Sequence, residues 1–153
     1  MNQKKHVMIS GGGVAGLCLA LFLRKAGIST AVYEGFPYYK DTGASVEIAP
    51  SGVRVLRALG LEKVISKNSH AQTKVKFCNN ETNEEMSFTR RNEANFGEQA
   101  IYINRPHLLS ALIEALRFEG IEVQYGKRLK AFQEEKNGII AYFDDQSTLR
   151  EQY

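Results

Sequence analysis

The fold is decided by residues 6–35, which read HVMISGGGVAGLCLALFLRKAGISTAVYEG. Val7 to Ile9 is a short apolar run typical of a buried strand, and glycines follow it directly. Apolar residues then recur at helical spacing until Arg24-Lys25 and Gly27, a combination typical of a helix end. Because Ile28 to Tyr33 predicts a second strand, the stretch as a whole predicts a strand-helix-strand unit with two parallel strands.

Gly11, Gly13 and Gly16 have the spacing of a dinucleotide-binding turn. In such a turn the first glycine permits the tight exit from the strand, the second lets the backbone approach a pyrophosphate, and the third lets the helix lie close on the sheet. The helix N-terminus then stabilises a diphosphate through its N–H groups and partial positive charge. Glu34 ends the second strand about twenty residues later, where a carboxylate can accept hydrogen bonds from ribose hydroxyls. The pattern predicts dinucleotide binding and leaves FAD and NAD both open, against the alternatives of a purely structural glycine turn and a merely polar strand end.

The rest of the chain predicts further strands and helices of an α/β fold. Strands are expected at Ser45 to Ile48, Lys74 to Phe77, Glu85 to Phe88, Ile101 to Ile103, Ile121 to Tyr125, Leu129 to Glu134 and Ile139 to Phe143. Helices are expected around Val53 to Leu59 and from Pro106 to Gly120, and Asn137-Gly138 predicts a hairpin. The second helix is expected to have an apolar face formed by Leu108, Leu109, Leu112, Ile113 and Leu116. The expected fold is a Rossmann-like dinucleotide-binding domain over residues 1–153, with a βαβ unit, a parallel sheet and a β-hairpin or meander.

Composition excludes several classes of function. The 153 residues suffice for one domain, and the net charge of +3 is too dispersed to indicate nucleic acid. The longest apolar run is too short to cross a bilayer, and no signal-peptide pattern is found, so a cytoplasmic protein without membrane contact is expected. Cys18 and Cys78 are expected to be reduced thiols. The three histidines have no metal-ligand spacing, and no metal site is predicted.

Three segments together resemble the FAD-dependent aromatic-ring hydroxylases, the single-component flavoprotein monooxygenases of the para-hydroxybenzoate hydroxylase type. They are VMISGGGVAGLCLALFLRKAGISTAVYE (7–34), GASVEIAPSGVRVLRALGL (43–61) and IYINRPHLLSALIEAL (101–116). The resemblance covers the N-terminal portion of a family member and implies FAD as the cofactor.

The resemblance also implies roles for individual residues. The three glycines of the turn, with the backbone of Val14 and Ala15, would hold the FAD pyrophosphate, and Glu34 would hold the adenosine ribose. Arg105 would contact the flavin side of the cofactor, and Gly43-Ala44 would run near the flavin ring. The strands between about residues 74 and 103 would begin a substrate-side sheet.

The chain departs from the family pattern at three places. Family members usually carry an arginine directly after the ribose-binding acid, where this chain has Gly35, and a further family arginine corresponds to Lys40. The family's later Asp-Gly and Gly-Asp motifs do not occur in these 153 residues, so the fold is expected to be incomplete at its C-terminus. An unpaired sheet edge and one uncovered sheet face are then expected, together with self-association through that edge.

The activity implied by the resemblance is hydroxylation of a small organic substrate with O2 and NADH or NADPH. Two alternatives remain open for the chain: a stand-alone, non-catalytic dinucleotide-binding module or truncated product, and an NAD-dependent reductase. The residues single out no catalytic acid, base or nucleophile.

Overall fold

The computed structural model describes residues 6–39, 43–71, 74–89 and 97–152. Its described helices are α1 (Val14–Lys25), α2 (Pro50–Ala58), α3 (Glu62–Lys67) and α4 (Arg105–Phe118). Its described strands are β1 (His6–Ser10), β2 (Ser29–Glu34), β3 (Ser45–Ile48), β4 (Ser69–Ala71), β5 (Lys74–Cys78), β6 (Glu85–Thr89), β7 (Ile101–Asn104), β8 (Val123–Tyr125), β9 (Leu129–Glu135), β10 (Gly138–Phe143) and β11 (Thr148–Gln152). The chain divides into a first unit, Met1–Asp41 with Leu109–Tyr153, and a second unit, Thr42–Leu108.

The first unit is built on a parallel sheet in the order β1-β2-β8. Strands β1 and β2 run parallel with Met8 opposite Ala31, and α1 crosses between them and packs on β2. The predicted strand-helix-strand unit is therefore confirmed. Val32 and Tyr33 are neighbours on β2 and are both buried. Since successive side chains of a strand point to opposite faces, both faces of this sheet are covered.

The face of β2 that carries Tyr33 is covered by an antiparallel meander in the order β11-β10-β9. Tyr33 packs with Ala141 and Phe143 of β10, and its ring centroid lies 5.3 Å from that of Phe143. Met8, Ala31, Leu129 and Leu149 pack around this cluster. The predicted β9-β10 hairpin is confirmed, and the expectation of an uncovered sheet face is wrong at β2, because residues of β9, β10 and β11 pack on the face that carries Tyr33.

The second unit contains an antiparallel sheet in the order β3-β7-β4 and the separate hairpin β5-β6. Helix α2 begins at Pro50, as a proline at a first helical position favours, and buries Leu56. Helix α3 and strand β4 were not expected from the sequence. Within the described residues β7 pairs with β3 and β4 and not with the hairpin, so the strands of residues 74–103 lie in two sheets.

No helix within the described ranges is long and apolar enough to cross a membrane.

Helix α4 begins at Arg105, one residue before the predicted start, and its expected apolar face is buried at Leu108, Leu109, Leu112 and Leu116. It is followed by Gly120 at φ +73°, a left-handed conformation that glycine adopts without strain.

The covering of the sheet by the meander can be tested at Phe143, which is 5% exposed. Removing its ring opens a cavity against Tyr33, so Phe143→Ala should lower the free energy of unfolding by about 3 kcal/mol or more. Phe132→Ala is the matched control, since Phe132 lies on β9 of the same meander but is 62% exposed. It should cost less than about 1 kcal/mol. Urea unfolding followed by circular dichroism measures both, and equal losses would contradict the packing described.

A second prediction concerns Asp145, in the turn between β10 and β11. Its carboxylate accepts hydrogen bonds from Lys127 Nζ at 2.6 Å and from the hydroxyl and N–H of Ser147 at 2.6 and 3.0 Å. These donors, Lys127 first, lower the pKa of Asp145 to about 2. Because the folded pKa lies below the unfolded value, the stabilisation is present above about pH 4 and is lost as the pH falls toward about 2.

Asp145→Asn should therefore be less stable than the unmodified chain by a constant amount from about pH 5 to 7. The difference should shrink as the pH falls below about 4, because Asp145 is then protonated in the unfolded chain, whereas the folded chain takes up this proton only near pH 2. Thermal unfolding at a series of pH values measures this difference. A gap that stayed constant down to about pH 2 would show that the carboxylate charge does not stabilise the turn.

Candidate functional site

The turn between β1 and α1 begins at Gly11, whose φ of +112° favours glycine. Its N–H donates to the carbonyl oxygen of Tyr33 at 2.7 Å, which extends the contact between the first two strands by one residue. The chain then turns away from the sheet into the helix. Gly11 therefore has the turn-forming role predicted for the first glycine of the motif.

Gly13 is the N-cap residue of α1 and has an ordinary extended conformation, with φ −79° and ψ 179°. A Cβ added to Gly13 would meet no atom within 4 Å. Neither backbone strain nor an internal contact thus requires glycine here. The space in front of Gly13 is open, and the first N–H groups of the helix, among them those of Val14 and Ala15, have no carbonyl partner within the helix.

Gly16 is the third residue of α1 and, unlike Gly13, has no free space around it. A Cβ on Gly16 would lie 2.0 Å from the carbonyl oxygen of Gly11 and 3.3 Å from Cγ2 of Ile9. No side chain larger than hydrogen fits at that distance from a backbone atom. Gly16 is therefore the residue that lets the helix lie against the first strand, as predicted.

Glu34 ends β2 with its carboxylate held between two backbone donors. Oε2 accepts a hydrogen bond from the N–H of Gly12 at 2.7 Å, and Oε1 accepts one from the N–H of Phe36 at 2.8 Å. A carboxylate has about four acceptor positions, so two remain for other donors such as ribose hydroxyls. The two backbone bonds fix the orientation in which those positions are presented.

Gly12 is a site residue that the sequence analysis missed. A Cβ on Gly12 would lie 3.0 Å from Cβ of Glu34 and 3.3 Å from Cγ1 of Val123. The motif leaves its second position free, but the carboxylate approaches the backbone here, and glycine makes room for it. The run of three consecutive glycines was the available signal.

Arg105 lies in the second unit, at the first residue of α4. Its N–H donates to the carbonyl oxygen of Ala44 at 3.2 Å, and a Cβ on Gly43 would lie 3.5 Å from its Cβ and Cδ. The structure thus brings Arg105 together with the Gly43-Ala44 stretch. Its side chain is exposed. The flavin contact of Arg105 stays a prediction, and Lys40 lies outside the described residues.

The described residues hold no cluster of three or more His, Cys, Asp or Glu side chains suited to a metal ion. His6 instead hydrogen-bonds the Ser29 hydroxyl at 2.8 Å, and His107 is exposed on the first turn of α4. In the first unit, the candidate site therefore consists of backbone N–H groups, open space and one oriented carboxylate.

Residues 4–153 match the family model described as FAD binding domain. The chain belongs to this FAD-binding domain family. FAD as the cofactor and the Rossmann-like α/β fold are thereby confirmed, and the resemblance to flavin-dependent monooxygenases is confirmed by the relatives of this FAD-binding domain.

Two curated relatives are monooxygenases or hydroxylases by name. The FAD-binding domain is 29% identical over 147 residues to 3-amino-4-hydroxybenzoate 2-monooxygenase PtmB3 from Streptomyces platensis. The match covers 94% of this chain and 37% of the monooxygenase. The domain is 31% identical over 147 residues to the FAD-dependent urate hydroxylase of Klebsiella oxytoca. That match covers 92% of this chain and 36% of the hydroxylase.

A solved structure with a similar fold is that of Klebsiella pneumoniae HpxO complexed with FAD and uric acid. The TM-score is 0.84 at 22% sequence identity, and the match covers 99% of this chain and 38% of that one. The FAD-binding domain thus spans a little more than a third of the length of the relatives it matches.

The different environments of Gly13 and Gly16 give a paired prediction. Gly16→Ala should lower the free energy of unfolding by about 3 kcal/mol, because its methyl group meets the Gly11 carbonyl. Gly13→Ala should change it by less than about 1 kcal/mol, since the methyl group meets open space. The same methyl group stands where a pyrophosphate would approach, so FAD binding should fall at least tenfold, as a loss of about 1.4 kcal/mol or more would give.

Thermal unfolding and titration of flavin fluorescence measure the two quantities. A Gly13→Ala variant that unfolds like the original chain and binds FAD equally well would show that the pyrophosphate does not lie at Gly13.

Proposed function

We propose that this chain is the FAD-binding N-terminal part of a flavin-dependent monooxygenase that uses NADH or NADPH and O2 to hydroxylate a small organic substrate. The observation that carries the proposal is the open space at Gly13, since a glycine that the fold itself does not require is explained by the close approach of a ligand. The names of the relatives support the substrate class, because they act on aminohydroxybenzoate and urate.

Each residue of the first unit has one task in this proposal. The N–H groups at Gly13, Val14 and Ala15 would bind the pyrophosphate at the start of α1, where the helix dipole also favours a negative charge. No acidic residue stands in the first turn of α1 to oppose that charge. Glu34 would accept hydrogen bonds from the adenosine ribose, with its orientation already set by Gly12 and Phe36.

In the second unit, the proposal gives Arg105 a contact with the flavin side of the cofactor. The Gly43-Ala44 backbone supports the start of the helix that carries it. Bound FAD would supply the redox chemistry, while the protein supplies binding, orientation and exclusion of water. No acid, base or nucleophile of the described residues is needed for a covalent step.

Location and assembly are also part of the proposal. Both cysteines are free thiols, Cys18 buried and Cys78 exposed, which supports a reducing compartment such as the cytoplasm. Self-association would use an outer strand of the parallel sheet, since β1 and β8 each pair with β2 alone among the described strands of that sheet.

The deciding measurement is the visible absorption spectrum of the purified chain after incubation with FAD and desalting, with an NAD-loaded sample measured in parallel in the ultraviolet, where the adenine of NAD absorbs. Retained flavin absorbance is expected, together with no retained NAD. The expectation follows from the match to the FAD-binding domain family. NAD carries the same adenosine and pyrophosphate groups as FAD, so the parallel sample tests the choice between the two. NADH and NADPH oxidation with a panel of small aromatic acids and purines would then test the activity.

Three outcomes would contradict the proposal in different ways. A colourless chain would show that residues 1–153 do not retain the cofactor. Retention of NAD in preference to FAD would favour an NAD-dependent reductase. Flavin retention without nicotinamide oxidation, in a protein extended to the length of its relatives, would favour a non-catalytic dinucleotide-binding module.

A further inference from the structure

The residue after the ribose-binding acid is glycine in this chain, and its environment is unusual. A Cβ on Gly35 would lie 3.1 Å from Cβ, 3.2 Å from Cζ and 3.3 Å from Nε of Arg128. The arginine side chain thus lies along the backbone of Gly35, in the space that a side chain at position 35 would need. Gly35 has no left-handed φ, so this contact, and not backbone strain, explains the glycine.

Backbone hydrogen bonds hold Arg128 in this position. The N–H of Gly126 donates to the carbonyl oxygen of Phe36 at 2.7 Å, and the N–H of Lys127 donates to that of Glu34 at 2.8 Å. The turn that leads into β9 is therefore bound to the residues on both sides of Gly35. Arg128 is the next residue, and its position beside Gly35 is a consequence of the fold.

The guanidinium of Arg128 is available to a ligand. Its side chain is 60% exposed, and its Cζ lies 5.9 Å from the centre of the Phe36 ring. Its one ion pair with a described residue joins Nε to Oδ2 of Asp144 at 3.9 Å, which is too long for a hydrogen bond. A planar, largely exposed cation is therefore held against Gly35, the residue that follows Glu34.

We propose that Arg128 supplies the cationic contact to the adenosine end of FAD, in place of the arginine that usually follows the acid, and that residue 35 is glycine to make room for it. A guanidinium can stack on a planar ring and donate to ribose oxygens at the same time, which suits an adenosine. This inference rests on the proposed function, because it assumes that FAD occupies the site at Glu34.

The test compares FAD and ADP binding by the unmodified chain and by Arg128→Met, using flavin fluorescence for FAD and calorimetry for ADP. Arg128→Met should weaken both ligands about three- to tenfold, the range expected for one partly exposed cation contact. ADP contains the adenosine and both phosphates but no flavin, so an equal loss for the two ligands places the contact on the part they share. Arg128→Lys keeps the positive charge but lacks the planar guanidinium, so it should recover part of the affinity that Arg128→Met loses.

Arg150→Met is the matched control. Arg150 lies in the same meander, is 61% exposed and pairs with Glu135 at 3.0 Å. Its replacement should leave both affinities unchanged. A control that weakened binding as much as Arg128→Met would show a general charge effect and overturn the proposal.

A double-mutant cycle tests the role of Gly35. Gly35→Ala places a methyl group against the Arg128 side chain and should weaken FAD binding in the unmodified chain by displacing the guanidinium. In the Arg128→Met background the same change should have a much smaller effect, because the guanidinium is already absent. Independent, additive effects would overturn the link between the two residues.

The outcomes separate this inference from the proposed function. If the unmodified chain binds neither FAD nor ADP, the proposed function fails, and the inference fails with it. If the unmodified chain binds both and Arg128→Met binds them equally well, only the inference fails. A loss for FAD without a loss for ADP would also overturn it, because the contact would then lie outside the adenosine end.

Discussion

The first unit depends on the contact between the carbonyl oxygen of Gly11 and the backbone of Gly16. With only a hydrogen at Gly16, helix α1 comes so close to β1 that a methyl group there would lie 2.0 Å from that oxygen. The approach directs the start of α1 along the carboxyl end of the strands, where its first N–H groups are left without helical partners. The open space in front of Gly13, where we propose that the pyrophosphate binds, follows from this one packing distance.

Glu34 connects this turn to the rest of the sheet. Its carboxylate bonds the N–H of Gly12 in one turn and that of Phe36 in the next, so the exits of β1 and β2 are held together by one side chain. The same group keeps acceptor positions for a ribose. If Glu34 binds the ribose as proposed, stability and binding depend on the same carboxylate, whereas at Gly13 the proposal separates them.

Local patterns in the sequence predicted the elements and residues that depend on near neighbours. The turn at Gly11, the helix end at Gly27 and the apolar face of α4 were predicted in this way, and the structure confirms them. Strand β11 was not predicted, since its residues are mainly polar and follow a turn in which Gln146 adopts a left-handed φ of 67°. It forms because β10 offers it a partner.

Contacts between distant parts of the chain could not be predicted in this way. Helix α3 has only six residues and buries Ile65, so tertiary packing stabilises it more than its own propensity does. Arg128 lies beside Gly35 only because β8 pairs with β2, and no sequence pattern links the two positions. Whether a glycine such as Gly12 or Gly35 makes room for a side chain is visible only once that side chain is placed.

The order of the two units along the chain has a consequence for folding. The second unit, Thr42–Leu108, is contiguous, and it is inserted between the two segments that form the first. Strands β1 and β2 with their crossover helix can form from neighbouring residues, whereas β8 can join them only after a loop that contains the whole second unit has closed. Closing a long loop costs conformational entropy, and ordering that loop internally shortens its effective length. We therefore expect the turn between β1 and α1, which is the proposed pyrophosphate half of the cofactor site, to form first. Strand β8, which leads to Arg128, joins the sheet later.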